Sequence, residues 1–425
     1  MYKRSLYELS EAVDCVAQEE MNNGWNRMKI LVVCQHYAPE PFRITEICED
    51  LVNRGHEVVA VVGLPNYPSG IVPQEYRWFQ RRRERIHGVE VRRCYEIGRR
   101  NTKLGLAVNY VSYMVSASWK ALWMRRDYDV IYAYSTSPVL MSLPAALLRC
   151  FTRKKLVIYV LDIWPACLAA MGVYDGSILY AFMKRVSKWI YRKADLLLIS
   201  SKRFRQYLST VHGIDVLQEN YLPQFADAPF DSLPQKTSQE TLRLVFAGNI
   251  GRVQGVQTLL HSANILRDED IHWYFLGDGS DYKACVALMK ELHLEEKVTL
   301  YGRRPLIEMP SFYAMADAML VSMRDDISVN DTLPGKVQSY MAAGKPILGS
   351  IAGETADIVR EAACGLCAPP EEPQAFAQVV REFKASPQKE QMGKNAKAYS
   401  DMHFSKKGHM DKLETLLLSM TCKEG

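Results

Sequence analysis

The chain of 425 residues lacks an apolar run able to cross a membrane, the paired cysteine spacing of a zinc site and any low-complexity tract. The strongest membrane candidate, the uncharged stretch 104–119, falls short of the ~20 residues a spanning helix needs and contains Asn109 and several serines. It predicts a helix that is either buried or membrane-facing. The ten cysteines are scattered, without zinc-site spacing, and too sparse for a secreted disulfide scaffold. They read as reduced thiols of a cytosolic protein, and Cys364 and Cys367, the single C-x-x-C pair, are assigned no function. Residues 1–27 mix acidic and basic side chains without an apolar core, so no signal peptide is expected there. They predict either an extension or a start placed ahead of the true one, because the first recognisable element begins at Met28.

What is present is ordinary globular composition, 48% hydrophobic and 24% charged, over a length that suggests two or three domains. The net charge of +5 hides an asymmetry. Residues 28–225 carry 28 Lys and Arg against 16 Asp and Glu, whereas 226–425 carry 22 against 27. Short β-branched runs alternate with amphipathic stretches: 29–34 is a strand, 45–53 a helix closed by Gly55, and 57–63 the next strand. Further strands are predicted at 130–133, 156–161 and 196–200, and a second series at 242–247, 273–276, 298–300, 318–321 and 346–349. Continuous apolar strands separated by helices indicate parallel sheets covered on both faces. The segment 226–240, rich in Pro and Ser, reads as a linker. The expectation is therefore an α/β chain with an extension (1–27), a first Rossmann-like domain (28–225), the linker (226–240), a second such domain (241–400) and a C-terminal helical tail (401–425). Doubly wound domains bind ligands at the carboxyl ends of their strands.

Three glycine loops follow strands of the second series. The first holds Gly248, Asn249, Gly251 and Arg252, the second Gly277 and the third Gly302 and Arg303. Any one could be a tight turn; together they outline a nucleotide-sized pocket in which backbone amides approach an anion. The most specific segment runs from Asp331 through Pro334, Gly335 and Lys336 to Pro346. Lys336 falls in the first turn of a predicted helix, where cations are disfavoured, so it is either solvated or placed to meet a phosphate. In the first domain, Asp162 ends a strand and either faces the ligand or caps the next helix.

These segments resemble glycosyltransferase family 4, the retaining GT-B enzymes, in the branch that builds bacterial surface polysaccharides. The resemblance covers about 28–400 and rests on Tyr37-Ala-Pro-Glu40 with Arg54-Gly-His56, Pro65-Asn-Tyr-Pro-Ser-Gly70, Asp162-Ile-Trp-Pro165, Tyr191-Arg-Lys-Ala-Asp195, Gly248-Asn-Ile-Gly251, Leu276-Gly-Asp-Gly279 and Pro334-Gly-Lys336 to Pro346. It implies two Rossmann-like domains facing across a cleft, a nucleotide-sugar donor (usually UDP-linked) on the second, the acceptor on the first, and neither cofactor nor metal. Retention in the family is ascribed to attack on the face the leaving diphosphate departs from, with that phosphate helping to deprotonate the acceptor. Asp162, Arg252, Asp331 and Lys336 are then the expected catalytic residues, with Lys336 and Arg252 stabilising the leaving diphosphate. Gly248, Asn249, Gly251, Gly277, Gly302, Arg303, Gln338 and Ser339 are expected to bind the donor. The chain departs from the family where Glu-x7-Glu is usual, having Asp331 and Ser339, and where two basic residues usually flank the glycine loop, having Asn249 and Gln254.

The basic excess of the first domain concentrates in 77–85, 92–100 and 184–193, with aromatics interleaved. Arg81, Arg82, Arg83, Lys184, Arg185, Lys188 and Trp189 read either as solvated helix faces or as contacts to an anionic membrane surface and a polyprenyl-diphosphate-linked acceptor. No nucleic-acid motif accompanies the charge, and nucleic acid is not expected as a partner. The leading expectation is a cytoplasmic enzyme peripheral to the inner membrane face; the alternatives are a GT-B sugar-nucleotide 2-epimerase and a non-catalytic transferase subunit.

Overall fold

The computed structural model describes residues 27–99, 102–124, 127–226, 241–326 and 330–421. Residues 1–26 of the expected extension and 227–240 of the expected linker lie outside these. The chain divides into two compact units: the first takes residues through Ile199 with Tyr207–Leu222 and the stretch from Met410 onward, the second Ser200–Gln206 and Pro223–His409.

In the first unit the order is β1 (Lys29–Val33), α1 (Ile44–Asn53), β2 (Glu57–Val62), β3 (Arg83–Ile86), β4 (Val89–Arg93), α2 (Lys103–Leu122), β5 (Val130–Ser135), α3 (Leu143–Thr152), β6 (Lys155–Val160), α4 (Ile178–Tyr191) and β7 (Leu196–Ile199). The sheet order is β3-β4-β2-β1-β5-β6-β7, parallel except for the β3–β4 pair. Strands β1, β5 and β6 are buried almost throughout, the reason their sequences are unbroken apolar runs. Helix α1 buries Ile44, Ile47, Cys48 and Leu51, one stripe at helical spacing.

The hairpin β3–β4 corrects one expectation. The basic runs 77–85 and 92–100 are not uniformly surface. Arg93 is buried, its Nε donating to Glu84 at 2.6 Å and its Nη2 to the Ala38 carbonyl at 2.6 Å, with the guanidinium over the Tyr76 ring. Antiparallel pairing sets Arg83 opposite Arg92 and Glu84 opposite Val91, which carries the acid to the buried arginine.

The second unit runs β8 (Leu242–Ala247), α5 (Val256–Ile265), β9 (Ile271–Leu276), α6 (Tyr282–Glu291), β10 (Val298–Gly302), α7 (Met309–Met315), β11 (Ala318–Ser322), α8 (Gly335–Ala342), β12 (Ile347–Ser350), α9 (Gly353–Glu361), β13 (Gly365–Ala368), α10 (Pro373–Ala385) and α11 (Lys389–His403). Its parallel sheet has the order β10-β9-β8-β11-β12-β13. Phe246, Trp273, Phe275 and Phe376 fill the core on one sheet face, and Val337, Tyr340 and Met341 from α8 pack on the other. Cys364 precedes β13 and Cys367 lies within it; both are free thiols, with burial raising their pKa values to about 12.

A last helix, α12 (Lys406–Ser419), carries Asp411 and Glu414, which accept hydrogen bonds from Arg54 at 2.8 and 2.7 Å; Glu414 also bonds His56 at 2.8 Å. These contacts place the stretch from Met410 in the first unit. Among the described residues no helix is long and apolar enough to cross a membrane, and no group of three His, Cys, Asp or Glu is placed to hold a metal ion.

Candidate functional site

The glycine loops of the second unit are extensions of its sheet. Gly248 N donates to Leu276 O, Ile250 N to Asp278 O and Gly277 N to Gly302 O, each at 2.9 Å, so the ladder continues past the strand ends. The loops touch backbone to backbone. A Cβ on Gly277, whose φ is +139°, would sit 1.8 Å from the Gly248 carbonyl oxygen. Gly248 itself has φ +146° and faces the Lys336 side chain, whose Nζ would lie 3.6 Å from a Cβ there.

Lys336 opens α8 and turns its amine inward. The Nζ is covered, has no hydrogen-bond partner among the described residues, and rests 4.2 Å from the centroid of the Phe246 ring. Burial alone pushes its pKa down to about 7, because nothing anionic offsets the lost hydration. The helix is held in place by Tyr340, whose hydroxyl donates to Ala247 O at 2.6 Å and accepts from Ala247 N at 2.9 Å. A buried amine one helical turn from that clamp, against the first glycine loop, is built to take up a proton when an anion arrives.

The other donor-side residues are less uniform. Gln338 is buried with its Oε1 unpartnered, and the Ser339 hydroxyl, also buried, donates back to Gly335 O in its own helix at 3.3 Å. Asn249 Nδ2 bonds Gln254 Oε1 at 3.4 Å, so the two residues at the family's basic positions hold each other. Arg252 is exposed; its amide bonds the Ser280 hydroxyl, but no described contact joins its guanidinium to Lys336. Arg303 is exposed beside Gly302. Asp331 is half-buried, 3.9 Å from Arg203; burial raises its pKa and the guanidinium draws it down.

In the first unit, Asp162 follows β6. It is bonded by the hydroxyl and backbone of Ser137, and burial raises its pKa against those bonds. The turn after it is capped by Pro165, so Asp162 is not a helix cap. Sequence reasoning missed a larger polar cluster at the strand ends of the same sheet. Glu96 is buried and accepts from Gln35 at 2.7 Å, Asn66 at 2.9 Å, Asn109 at 2.6 Å and Leu64 N at 3.1 Å. Burial raises its pKa to about 7 despite those donors. Beside it, Glu40 accepts from Asn66 N and Tyr67 N and bonds His36 Nδ1 at 2.9 Å; the His36 ring stacks on Phe42. The motifs around 37–40 and 65–70 are thus one structure, tied by Glu40. The available signal was a carboxylate in each of two motif neighbourhoods, but not the pairing.

Comparison with known proteins agrees with this layout. Residues 42–223 match the model of the glycosyl transferase 4-like domain, and 230–399 the model of glycosyl transferases group 1. The probable glycosyltransferase WbjE of Pseudomonas aeruginosa is 28% identical over 310 residues, covering 68% of this chain and 75% of that protein. The putative colanic acid biosynthesis glycosyl transferase WcaI of Escherichia coli is 22% identical over 337 residues, covering 75% and 82%. Anabaena Alr3699/HepE in complex with UDP superposes with a TM-score of 0.67 at 17% identity, covering 92% of this chain and all of that one; the same protein is also solved with UDP-glucose. With one domain model on each Rossmann-like unit, the chain is a glycosyltransferase of the GT-B fold, made of a 4-like domain followed by a group 1 domain.

Proposed function

We propose that this enzyme transfers a sugar from a UDP-linked donor to a saccharide carried on a polyprenyl diphosphate lipid, in the synthesis of a bacterial surface polysaccharide and with retention of configuration. The observation that carries the reading is the buried, unpartnered amine of Lys336 against the first glycine loop. Sugar transfer expels a nucleoside diphosphate, and negative charge grows on it in the transition state. An ammonium in a dry site stabilises that charge more than a solvated one, by roughly 3 kcal/mol for a single well-placed donor. The amides of Asn249 and Gly251, which take no part in the ladder, add to it, and Arg252, on the exposed side of the same loop, closes on the diphosphate in this reading. The leaving phosphate takes the acceptor's proton on the face it departs from, so no protein nucleophile is required and the reaction is expected to proceed in EDTA. Asp331 and Gln338 hold the donor, and Asp162 orients the acceptor hydroxyl.

UDP in HepE and the colanic acid role in WcaI's name support the donor class and the pathway class. The basic helix carrying Lys184, Arg185, Lys188 and Trp189 supports a location on the cytoplasmic membrane face. Incubation with UDP-sugars and a bacterial lipid extract tests the proposal. A glycosylated lipid is expected; epimerised donor, or no turnover with any UDP-sugar, would overturn it.

A further inference from the structure

Among the described residues, helix α2 has one face that nothing covers. Asn109, Tyr113, Ala117 and Ala121 are buried, while Leu104, Val108, Val111, Val115, Trp119 and Leu122 are exposed at spacings of three and four. They form an apolar stripe about 27 Å long. Ser112 and Ser116 bond the backbone of Ile97 and Tyr95, and that extended segment walls the stripe into an open groove of about 700 Å³. Contiguous exposed apolar surface of this extent marks an interaction site.

At the Trp119 end the groove adjoins a second cavity of about 690 Å³ with a different lining, which includes Arg82, Arg83, Arg92 and Lys120 together with Trp119 and Trp123. Glu90 pairs with Arg92 and Glu84 with Arg93. Among the described residues no carboxylate is left for Arg82, Arg83 or Lys120, and the Arg82 Nε is buried without a partner. Burial lowers the pKa of Lys120, and the neighbouring arginines lower it further. Cations crowded this way are stabilised by an anion with several acceptor oxygens.

One occupant has both parts in the required order. We infer that α2 lies in the interface of an anionic membrane leaflet, its stripe among the lipid chains and a lipid headgroup phosphate bound by Arg82, Arg83 and Lys120. Trp119, 67% exposed, lines both the groove and the basic cavity, and Trp123, 75% exposed, lies one turn on in the basic cavity, the level indoles take at a bilayer surface. Right-handed crossovers from β4 to β5, β5 to β6 and β6 to β7 put α2, α3 and α4 on one face of the sheet. The other two helices add exposed Phe151, Ile178, Phe182 and Trp189 to that face. A second copy of the chain brings an identical basic pocket, which repels this one if the faces pair symmetrically. The inference rests on the membrane-facing reading above and assigns it a defined headgroup site.

The full-length protein should float with vesicles of phosphatidylglycerol and phosphatidylcholine in equal parts at low salt, and not with phosphatidylcholine alone. The double variant Val111→Glu/Val115→Glu should weaken partitioning at least about tenfold, and Arg82→Glu/Arg83→Glu by a similar factor. Val111, Val115 and Arg83 are exposed and Arg82 partly so, and unchanged circular dichroism and UDP affinity of the Val111/Val115 variant would show the fold intact. Brominated lipid chains should quench tryptophan emission less in Trp119→Phe/Trp123→Phe than in wild type. Indifference to headgroup charge, full binding by either charged variant, or a dimer that Val115→Glu breaks apart would each overturn the site. Lipid glycosylation by a protein that ignores vesicle charge removes this inference alone; flotation without any sugar transfer supports it and removes the proposed function.

Discussion

Two buried ionisable groups, one in each unit, have been moved to about the same pKa by opposite arrangements. Glu96 is surrounded by donors: three side-chain amides and a backbone N–H converge on it. Lys336 meets none of its natural partners among the described residues; its Nζ lies over an aromatic ring, in the space a side chain at position 248 would face. A charge whose bonds are complete belongs to the architecture, and its cluster joins segments far apart in sequence. A charge left incomplete costs stability in the free protein and regains it only with a ligand.

The comparison breaks first at Lys336. Lys336→Met should lower turnover with UDP-sugar by roughly two orders of magnitude, while the unbound variant melts above the wild type at neutral pH. The sign follows from the depressed pKa. The stability that the uncharged amine contributes is present above the ordinary value of 10.5 and is lost as pH falls through about 7, so removing the amine relieves that loss. For the same reason UDP binding by the wild type should take up protons in the window from about 7 to 10.5. Calorimetry in buffers of different ionisation enthalpy reads this directly, and near-normal turnover with no proton uptake would remove Lys336 from the leaving-group role.

A second substitution asks whether the loop beside the lysine is as rigid as its ladder implies. In Gly277→Ala the new methyl meets the Gly248 carbonyl, and the φ of +139° is closed to alanine. A loss of about 2 kcal/mol in urea unfolding is expected, together with weaker UDP binding. Unaltered stability would mean that the two loops move independently.

The smallest effect belongs to the satisfied carboxyl. Because the Glu96 pKa is raised, the folded state holds its proton longer than the unfolded chain, and wild-type stability should decline as pH rises from 4.5 through about 7. Glu96→Gln removes that slope. It also sets an amide N–H against Leu64 N–H, at a cost of about 1–2 kcal/mol. Melting temperatures across that range would show a flattened profile; a slope that persists in the variant would assign it to another group.

Much of the fold was legible in the chain because its strands are buried on both faces. Val130–Ser135 and Leu242–Ala247 announce themselves as unbroken apolar runs. The hairpin Arg83–Ile86 and Val89–Arg93 did not, because an edge pair rich in charge has no such run, and the burial of Arg93 depends on Glu84 brought by pairing. Strand β13 is a similar case: it spans only Gly365–Ala368, too short to show a pattern, and the C-x-x-C spacing is that strand together with Cys364 just before it. On the donor side, Lys336 was legible from its place at a helix start. The clamp by Tyr340 and the Glu96 cluster were not, since each joins residues from separate segments whose meeting is a tertiary fact.

The return of α12 to Arg54 and His56 bears on how the protein can be dissected. Each unit is assembled from separate stretches of chain: Ser200–Gln206 is contributed to the second by the front half, and Met410 onward to the first by the end. No single cut therefore releases either unit whole. A fragment stopped near residue 225 would leave Arg54 without Asp411 and Glu414, so an intact first half requires the last helix to be supplied in trans or fused back by circular permutation.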